Sequence, residues 1–539
     1  MAPNVVDLEL LKRYPRAIYH LRTQLQRHRL MPMFGAGLSR PLDLPDWTSL
    51  IDRISAHDDV KGDVLDAQKI SQASRTQMLY QHFRRNYLQK YFSLGAFQDV
   101  EAAQDRIVQA RWIELVHECL YQSAKDPSTH PYLKTFLPLI SGAPLTVNYN
   151  FDDSIQELMD AQGKTEGSST YETVWDPTVQ FRALSAAIYH PNGFLPRRLQ
   201  RGPSDRIVFA EDSFADQLID VQRGHYATLL SHLHRFTALL VGLSLEDPTL
   251  KNLLRQCLHA NPGHVHYYIA YIGDEGKGHD DKTSATRDSN FEAFNLVTLH
   301  LRQAEIESLA RLLTLPADEF TRLVHDAKTP TNFVFYLTGA VGTGKTAVLS
   351  KFKSLTTYAE WLDPKPAELH KAATALSKEE RSAVDDWIDR QFGHKNALMH
   401  RDAGHIILVD RTPLDPLAFA FENEEGRLKS IRAMFWSSER KAYDLVGGQI
   451  ILMTGTPQVL EMRVRQRHKD GSVDYVNALQ QRFLALWGKT HTRIVSTVDL
   501  PLFSVVRRIA RIVHFEDYVR ADLSDYLASD LQAQLRDAK

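Results

Sequence analysis

Residues 333–346 read FVFYLTGAVGTGKT. An apolar run leads into Gly339-Ala-Val-Gly342-Thr-Gly344-Lys345-Thr346, which fits the pattern GxxxxGK[ST]. The run predicts a buried strand, and the residues after Lys345 predict a helix. Glycines let such a loop curl so that its N–H groups point at phosphate oxygens, and a helix N-terminus favours an anion. Lys345 is then placed for the β- and γ-phosphates, and Thr346 for Mg²⁺. The pattern therefore predicts ATP or another nucleoside triphosphate with Mg²⁺, held in an α/β unit.

Outward from this loop the same alternation continues. The apolar run 406–409 ends at Asp410, where a Mg²⁺-associated carboxylate would sit. Residues 449–454 and 492–498 read as further strands, and 503–513 as a closing helix. Ahead of the loop, residues 16–28 have helical spacing, and the strand-like run 30–34 meets Gly35-Ala36-Gly37-Leu38-Ser39. Residues 50–135 look helical. Strand-like runs return at 143–147, 206–210, 237–243 and 264–272, with helices between them, the pattern of a mostly parallel sheet. Residues 273–290 have almost no apolar content and read as an exposed loop. A helix at 317–327 with Lys328-Thr329-Pro330 reads as the junction. The expected layout is a front domain at 1–315, a linker at 316–330 and a back domain at 331–539.

Composition bounds the function. The 539 residues exceed the size of one domain, and 43% hydrophobic with 24% charged residues is ordinary for a folded soluble chain. A net charge of −2 argues against bulk nucleic acid or an anionic membrane as the main partner. Two cysteines, Cys119 and Cys257, cannot build a disulfide framework or a four-cysteine zinc site. No apolar run approaches the ~20 residues that cross a bilayer. Asp7, Glu9, Lys12 and Arg13 interrupt the N-terminal stretch where a signal peptide would lie. A cytoplasmic protein without zinc, membrane contact or a dedicated nucleic-acid surface is expected.

Two resemblances refine this. Asp410-Arg411-Thr-Pro-Leu-Asp415 resembles the Asp-Arg motif of P-loop nucleotide kinases. Residues 457–467, PQVLEMRVRQR, resemble the start of the lid in thymidylate-kinase-like proteins. That likeness implies that Arg411, Arg463 and Arg467 serve the phosphates, and it runs from 331 to about 520. Glu360-Trp361 stands where deoxynucleoside kinases keep a base, although a surface glutamate is the plainer reading.

In the front half, Gly35-Ala36-Gly37-Leu38-Ser39, Leu44-Pro45-Asp46-Trp47, Asn150-Phe151-Asp152-Asp153, His190-Pro191-Asn192-Gly193 and Gly242-Leu243-Ser244 with Asp247 follow one another. In that order they resemble the sirtuin family, over about residues 20–312. The fold implied is a Rossmann-like sirtuin domain with a helical insertion, followed by a P-loop NTPase α/β domain. NAD⁺ is implied as substrate. The resemblance places Gly35, Ala36, Gly37, Ser39, Trp47, Asn192, Gly242, Ser244 and Asp247 around it, with Asn150, Asp152 and His190 at the reacting end. A second register would put Asn148 and Asn150 in the Asn-x-Asp motif; the run Asn-Phe-Asp-Asp selects Asn150 and Asp152.

Two departures matter. The family's His directly before the glycine is Asn192 here, so either His190 takes the proton or turnover is lost. The zinc module that completes the acyl-lysine cleft of deacylating sirtuins has no cysteines to build it. That moves the expected reaction to hydrolysis of NAD⁺ to nicotinamide and ADP-ribose. Zinc-less sirtuin-like domains fused to a second module resemble bacterial anti-phage effectors that deplete NAD⁺. The expectation is thus an NAD⁺ hydrolase acting in abortive infection. A kinase-like half would sense nucleotides or deoxynucleotides as a trigger, within a homo-oligomer. The rivals are a nucleotide kinase with a regulatory NAD-binding front half, and a scaffold that catalyses nothing. His264 and His266 read as buried or edge histidines. Arg432, Arg440, Lys441, Phe435 and Trp436 read as a phosphate lid or a solvated helix.

Overall fold

The computed structural model describes residues 4–60, 70–92, 101–166, 171–176, 186–205, 207–209, 225–273, 280–370, 376–401, 404–421, 423–466, 472–488 and 491–528. Among these, fourteen strands form two parallel sheets and one hairpin.

The first sheet holds β1 (Leu30–Phe34), β2 (Leu145–Asn148), β3 (Tyr171–Val174), β4 (Ala186–Tyr189), β5 (Thr237–Val241), β6 (His266–Tyr271) and β7 (Leu296–Leu301), in the order β3-β4-β2-β1-β5-β6-β7. The chain leaves β1 toward β2 on one side and returns to β5 on the other. Ligands bind in such a crevice, at the carboxyl ends of the strands. β1 carries Pro32, which gives no ladder N–H, and β2 pairs with β1 only at Met33 and Phe34. Between β1 and β2 stand the helices Trp47–Ala56, Gln72–Phe92 and Glu101–Tyr121, the expected helical insertion.

The second sheet holds β8 (Phe333–Thr338), β9 (Thr356–Tyr358), β10 (Ile406–Asp410), β13 (Gln449–Thr454) and β14 (Arg493–Ser496), in the order β14-β13-β8-β10-β9. β11 (Trp436–Ser437) and β12 (Ala442–Tyr443) pair as a separate hairpin. Alternate residues of a strand face opposite ways, and here the two faces enter different cores. Phe333, Phe335, Leu337, Ile406, Leu408, Ile451 and Met453 join a core that also contains Ile18, Leu21 and Phe34. Val334, Tyr336, Ile407, Val409, Ile450 and Leu452 join a second core covered by the helix Val473–Trp487. One face of the back sheet is therefore closed by the front half. The junction helix Ala317–Ala327 buries Phe320, Leu323, Val324 and Ala327 in the shared core. Arg22 lies 4.3 Å over the Phe320 ring.

Two sequence expectations fail here. Residues 207–209, the described part of the run 206–210, form no strand. Val208 donates to the Asn192 carbonyl at 2.8 Å, and Phe209 packs on Trp47 and Phe151. Its apolar residues serve to cover a loop, not to pair. The stretch 273–290 is not all loop: Asp280–Phe294 is a helix, with 274–279 outside the described residues. Arg511 pairs with Asp288 and Glu292, Arg507 pairs with Glu292, and Phe291 meets Phe515 at 4.5 Å. Partners on the helix Leu502–His514 and just beyond it supply what the segment's own sequence lacks.

Candidate functional site

Three turns meet at the carboxyl end of β1. Gly35 donates to the Val241 carbonyl at 3.0 Å, and Gly37 to the Gly242 carbonyl at 2.9 Å. A Cβ on Gly37 would lie 2.7 Å from the Gly242 Cα, and one on Gly242 would lie 2.5 Å from the Leu38 nitrogen. Gly242 has φ +67°, a left-handed conformation that favours glycine. These glycines therefore let two backbones touch, and the Gly35 and Gly37 N–H groups are spent inside the fold.

Asn150 anchors on that turn. Its Nδ2 donates to the Gly35 carbonyl at 3.0 Å and to Ser39 Oγ at 3.2 Å. Ser39 Oγ in turn donates to Asp152 Oδ2 at 3.2 Å. Asp152 Oδ1 accepts from the Ser154 N–H at 3.1 Å, at the start of the helix Ser154–Glu166. Burial raises the Asp152 carboxyl above its ordinary range. With both amide hydrogens used, Asn150 keeps Oδ1 as its acceptor toward a ligand. Asn148 does a different job: it is buried at the end of β2, and its Oδ1 accepts from the Asn150 N–H at 3.2 Å.

His190 is fully buried behind Asn150. Its Nδ1 faces the Asn150 carbonyl at 2.8 Å, and its Nε2 faces Gln156 Nε2 at 2.7 Å. A carbonyl only accepts, so Nδ1 carries the proton and Nε2 accepts from Gln156. Burial lowers the imidazole to about 4. Asn192 is also buried, donating from Nδ2 to the Tyr149 carbonyl at 3.2 Å. Trp47 stands half-buried against Phe209 at 5.1 Å. Ser244 Oγ accepts from the Glu246 N–H at 3.2 Å. Asp247 caps the helix Pro248–Ala260, accepting from Thr249 N–H at 2.7 Å. Gln156, which orients His190, had one visible signal: it is a polar residue on the buried side of the Ser154–Glu166 helix.

The second site lies at the carboxyl ends of β8 and β10. Gly339, Gly342 and Gly344 have φ of +133°, +84° and +89°. The first two press on the Met453 and Leu460 carbonyls, while Gly344 has open space around it. Lys345 folds back over its own loop, donating to the Gly339 and Ala340 carbonyls at 2.9 and 3.0 Å. Burial, with Arg411 nearby, lowers its ammonium to about 8. Thr346 Oγ1 donates to Asp410 Oδ2 at 3.0 Å, and Asp410 Oδ1 is buried without a hydrogen-bond partner. A hydroxyl beside a carboxylate with a spare buried oxygen suits a hard cation such as Mg²⁺.

Arg411, at φ +71°, donates to Glu360 Oε1 at 2.6 Å. Burial works against the Glu360 charge, yet Arg411 holds that carboxyl below its usual range. Glu360 thus stands part-buried against Arg411, where the plainer expectation was a glutamate free at the surface. Asp415 accepts from Thr338, Thr412 and Trp487 at 2.8, 2.6 and 3.1 Å. Arg463 donates to Thr497 Oγ1 at 3.1 Å and reaches the Gly342 carbonyl at 3.5 Å. Arg467 lies outside the described residues.

Lys395 went unread. It is buried, with Nζ donating to the carbonyls of Asp410, Glu360 and Ala359 at 3.0, 3.1 and 3.5 Å. Burial lowers it to about 8. A signal existed, since Phe392, Lys395 and Met399 share the buried stripe of the helix Lys378–Arg401.

His264 and His266 are packed ring to ring at 4.9 Å, and His266 Nδ1 accepts from the Ala238 N–H. Arg432 donates to the Leu527 carbonyl, while Arg440 pairs with Asp444. Among the described residues no group of three or more His, Cys, Asp or Glu is placed to hold a metal ion, and no helix is long and apolar enough to cross a membrane.

Comparison with known proteins bears on the front half. No curated protein matches the chain. Similar solved structures include EHV4-TK complexed with TP4A, at 12% identity over 38% of this chain and 97% of that one, with a TM-score of 0.26. NadR protein in complex with NR is matched at 13% identity over 57% of this chain and 86% of that one, with a TM-score of 0.25. The family model for the SIR2-like domain matches residues 144–299, the stretch from β2 to β7 that carries Asn150, His190 and Gly242. Residues 144–299 thus match a SIR2-like domain, joined within one polypeptide to a second α/β unit whose loop 339–346 carries the pattern GxxxxGK[ST].

Proposed function

We propose that the front half, residues 1–315, hydrolyses NAD⁺ to nicotinamide and ADP-ribose, and that the back half, 331–539, binds a nucleoside triphosphate and controls it. The observation that carries this reading is the Asn150 amide, fixed by Ser39 and Gly35 at the mouth of a switch-point crevice in a SIR2-like domain. Breaking the nicotinamide–ribose bond builds positive charge on the ribose carbon. A fixed amide oxygen can orient a water or ribose hydroxyl toward that carbon. The buried Asp152 holds the Ser39 hydroxyl that holds Asn150. Ser244 would face the adenosine ribose, with Asp247 capping the helix beside it and Trp47 flanking the turn. The water's proton goes to His190, whose Nε2 must first be released by Gln156. With that nitrogen engaged and a pKa near 4, His190 is a weak base, which suits a resting enzyme awaiting a trigger.

In the back half, the loop 339–346 would cradle the phosphates. Thr346 and Asp410 would hold Mg²⁺, which supplies charge neutralisation at the phosphates when bound. Arg411, Arg463 and Arg467 would serve the phosphate oxygens. An NAD⁺ hydrolase needs restraint in its host, and a role in anti-phage abortive infection, with a nucleotide as trigger, follows from pairing these two modules in a cytoplasmic homo-oligomer.

A second reading has its own support. The engaged His190 and the complete phosphate loop favour a nucleotide kinase whose front half only binds NAD⁺ or an ADP-ribose derivative. Incubation with NAD⁺ in ¹⁸O-labelled water, with and without triphosphates, separates the two. Labelled ADP-ribose supports hydrolysis. Phosphate transfer to a nucleoside or monophosphate without nicotinamide release supports the kinase.

A further inference from the structure

The phosphate loop and the front crevice are joined by a buried path. The helix Lys345–Leu349 is followed by a short peptide that plunges into the front half. The Ser354 carbonyl accepts from Gln24 Nε2 at 2.7 Å and from His20 Nε2 at 3.2 Å. His20 Nδ1 accepts from the Tyr267 hydroxyl at 2.8 Å, which leaves the proton on Nε2 for Ser354. His20, Gln24 and Ser354 are all buried. The Lys351 carbonyl presses on Gly263, where a Cβ would stand 2.6 Å away. Arg27 donates to Thr356 Oγ1 at 2.8 Å, and Val348, Leu349 and Phe352 lie in the core that holds Leu21 and Phe34. His20 and Gln24 belong to the helix Pro15–Gln26, which leads directly into β1 and so to Gly35, the anchor of Asn150.

We infer that nucleotide occupancy at the phosphate loop is relayed to the front crevice through Ser354, clamped by Gln24 and His20. The relay rests on the loop 339–346 being a triphosphate cradle. In the state described, Lys345 is bound to its own loop's carbonyls. Phosphate oxygens compete for that ammonium, so the ligand-bound state must reposition Lys345 and the helix it begins. Close-packed side chains behind that helix pass on a shift rather than absorb it. The ligand thereby favours one of two arrangements, the requirement for any switch. Ser354 thus ties the exit of the loop's own helix, by buried hydrogen bonds, to the helix Pro15–Gln26 that leads into β1.

The test uses the full chain with ATP and Mg²⁺. Calorimetry establishes binding, and amide hydrogen exchange then reads the response. The expected result is exchange slowed by about fivefold or more across residues 15–39, the size of a modest coupling. In Gln24→Leu, ATP should still bind while that distant protection disappears. If ATP binds but protection stays within residues 333–360, the relay is wrong. If a folded Gln24→Leu keeps the distant protection, Ser354 is not the joint. If Gln24→Leu does not fold, the wild-type exchange pattern alone decides. If ATP does not bind at all, calorimetry shows that the cradle itself is misread, and the relay falls with it.

Discussion

The Gly242 carbonyl accepts the Gly37 N–H at 2.9 Å, which makes the turns after β1 and β5 a single backbone unit. A methyl group on Gly242 would collide with the Leu38 nitrogen and force a left-handed alanine. Gly242→Ala should therefore cost about 1–3 kcal/mol from conformation alone. Urea denaturation reads this as a lower midpoint. An unchanged midpoint would mean the two turns are not packed as described.

The shared core predicts one cooperative unit rather than two. Phe320 sits in it edge-on to Tyr19, and Phe320→Ala should lose about 3–5 kcal/mol. Calorimetry should show a single melting transition that moves as a whole. A second transition left in place in the variant would show that the halves fold separately.

Lys395 ties Asp410 to Glu360 through their main-chain carbonyls. Lys395→Met would leave those carbonyls unpaired, at about 1–3 kcal/mol each if they stay dry. The spacing of Glu360 and Asp410 should relax, so Mg²⁺ should enhance ATP binding less in the variant than in the wild type. Titrations with and without Mg²⁺ measure this. Equal enhancement in a folded variant would remove Lys395 from the site's support.

Acid should destabilise the fold. Burial lowers His190 to about 4, His264 to about 4 and His20 to about 3. The unfolded chain takes up protons near pH 6.5 and the folded one does not. Each neutral histidine thus contributes stability that is fully present above pH 6.5 and is lost as pH falls toward about 4. At pH 5 the loss is about 2 kcal/mol per histidine before coupling. The melting temperature should fall between pH 7 and pH 5. A flat profile would mean these rings are already solvated.

What could be read in advance follows the physics of each signal. β1 and β8 were legible because an apolar run stops at a glycine turn, and both steric demands are local. Asp410 was legible because a lone acid ends a buried strand. The helix Asp280–Phe294 was not, since Phe291 and Phe294 in its last turn are nearly its whole apolar content and Arg507 and Arg511 supply the rest from far along the chain. β3, β4 and β9 are only 3 or 4 residues long, too short for periodicity to declare them. Gly37 packs against Gly242, a contact between two turns far apart in the chain that local spacing does not record. The engagement of His190 by Gln156, and of Ser354 by Gln24, depends on side chains meeting across elements, which spacing does not record.

The most direct test compares wild type and Asn150→Ala for nicotinamide release from NAD⁺, with and without triphosphate, while calorimetry tracks NAD⁺ binding. Hydrolysis positioned by Asn150 requires release by the wild type, and release lost by at least about a hundredfold in a variant that stays folded, the loss expected when a positioning group is removed. Undiminished release from Asn150→Ala, or NAD⁺ bound intact by the wild type under every nucleotide condition, would contradict it.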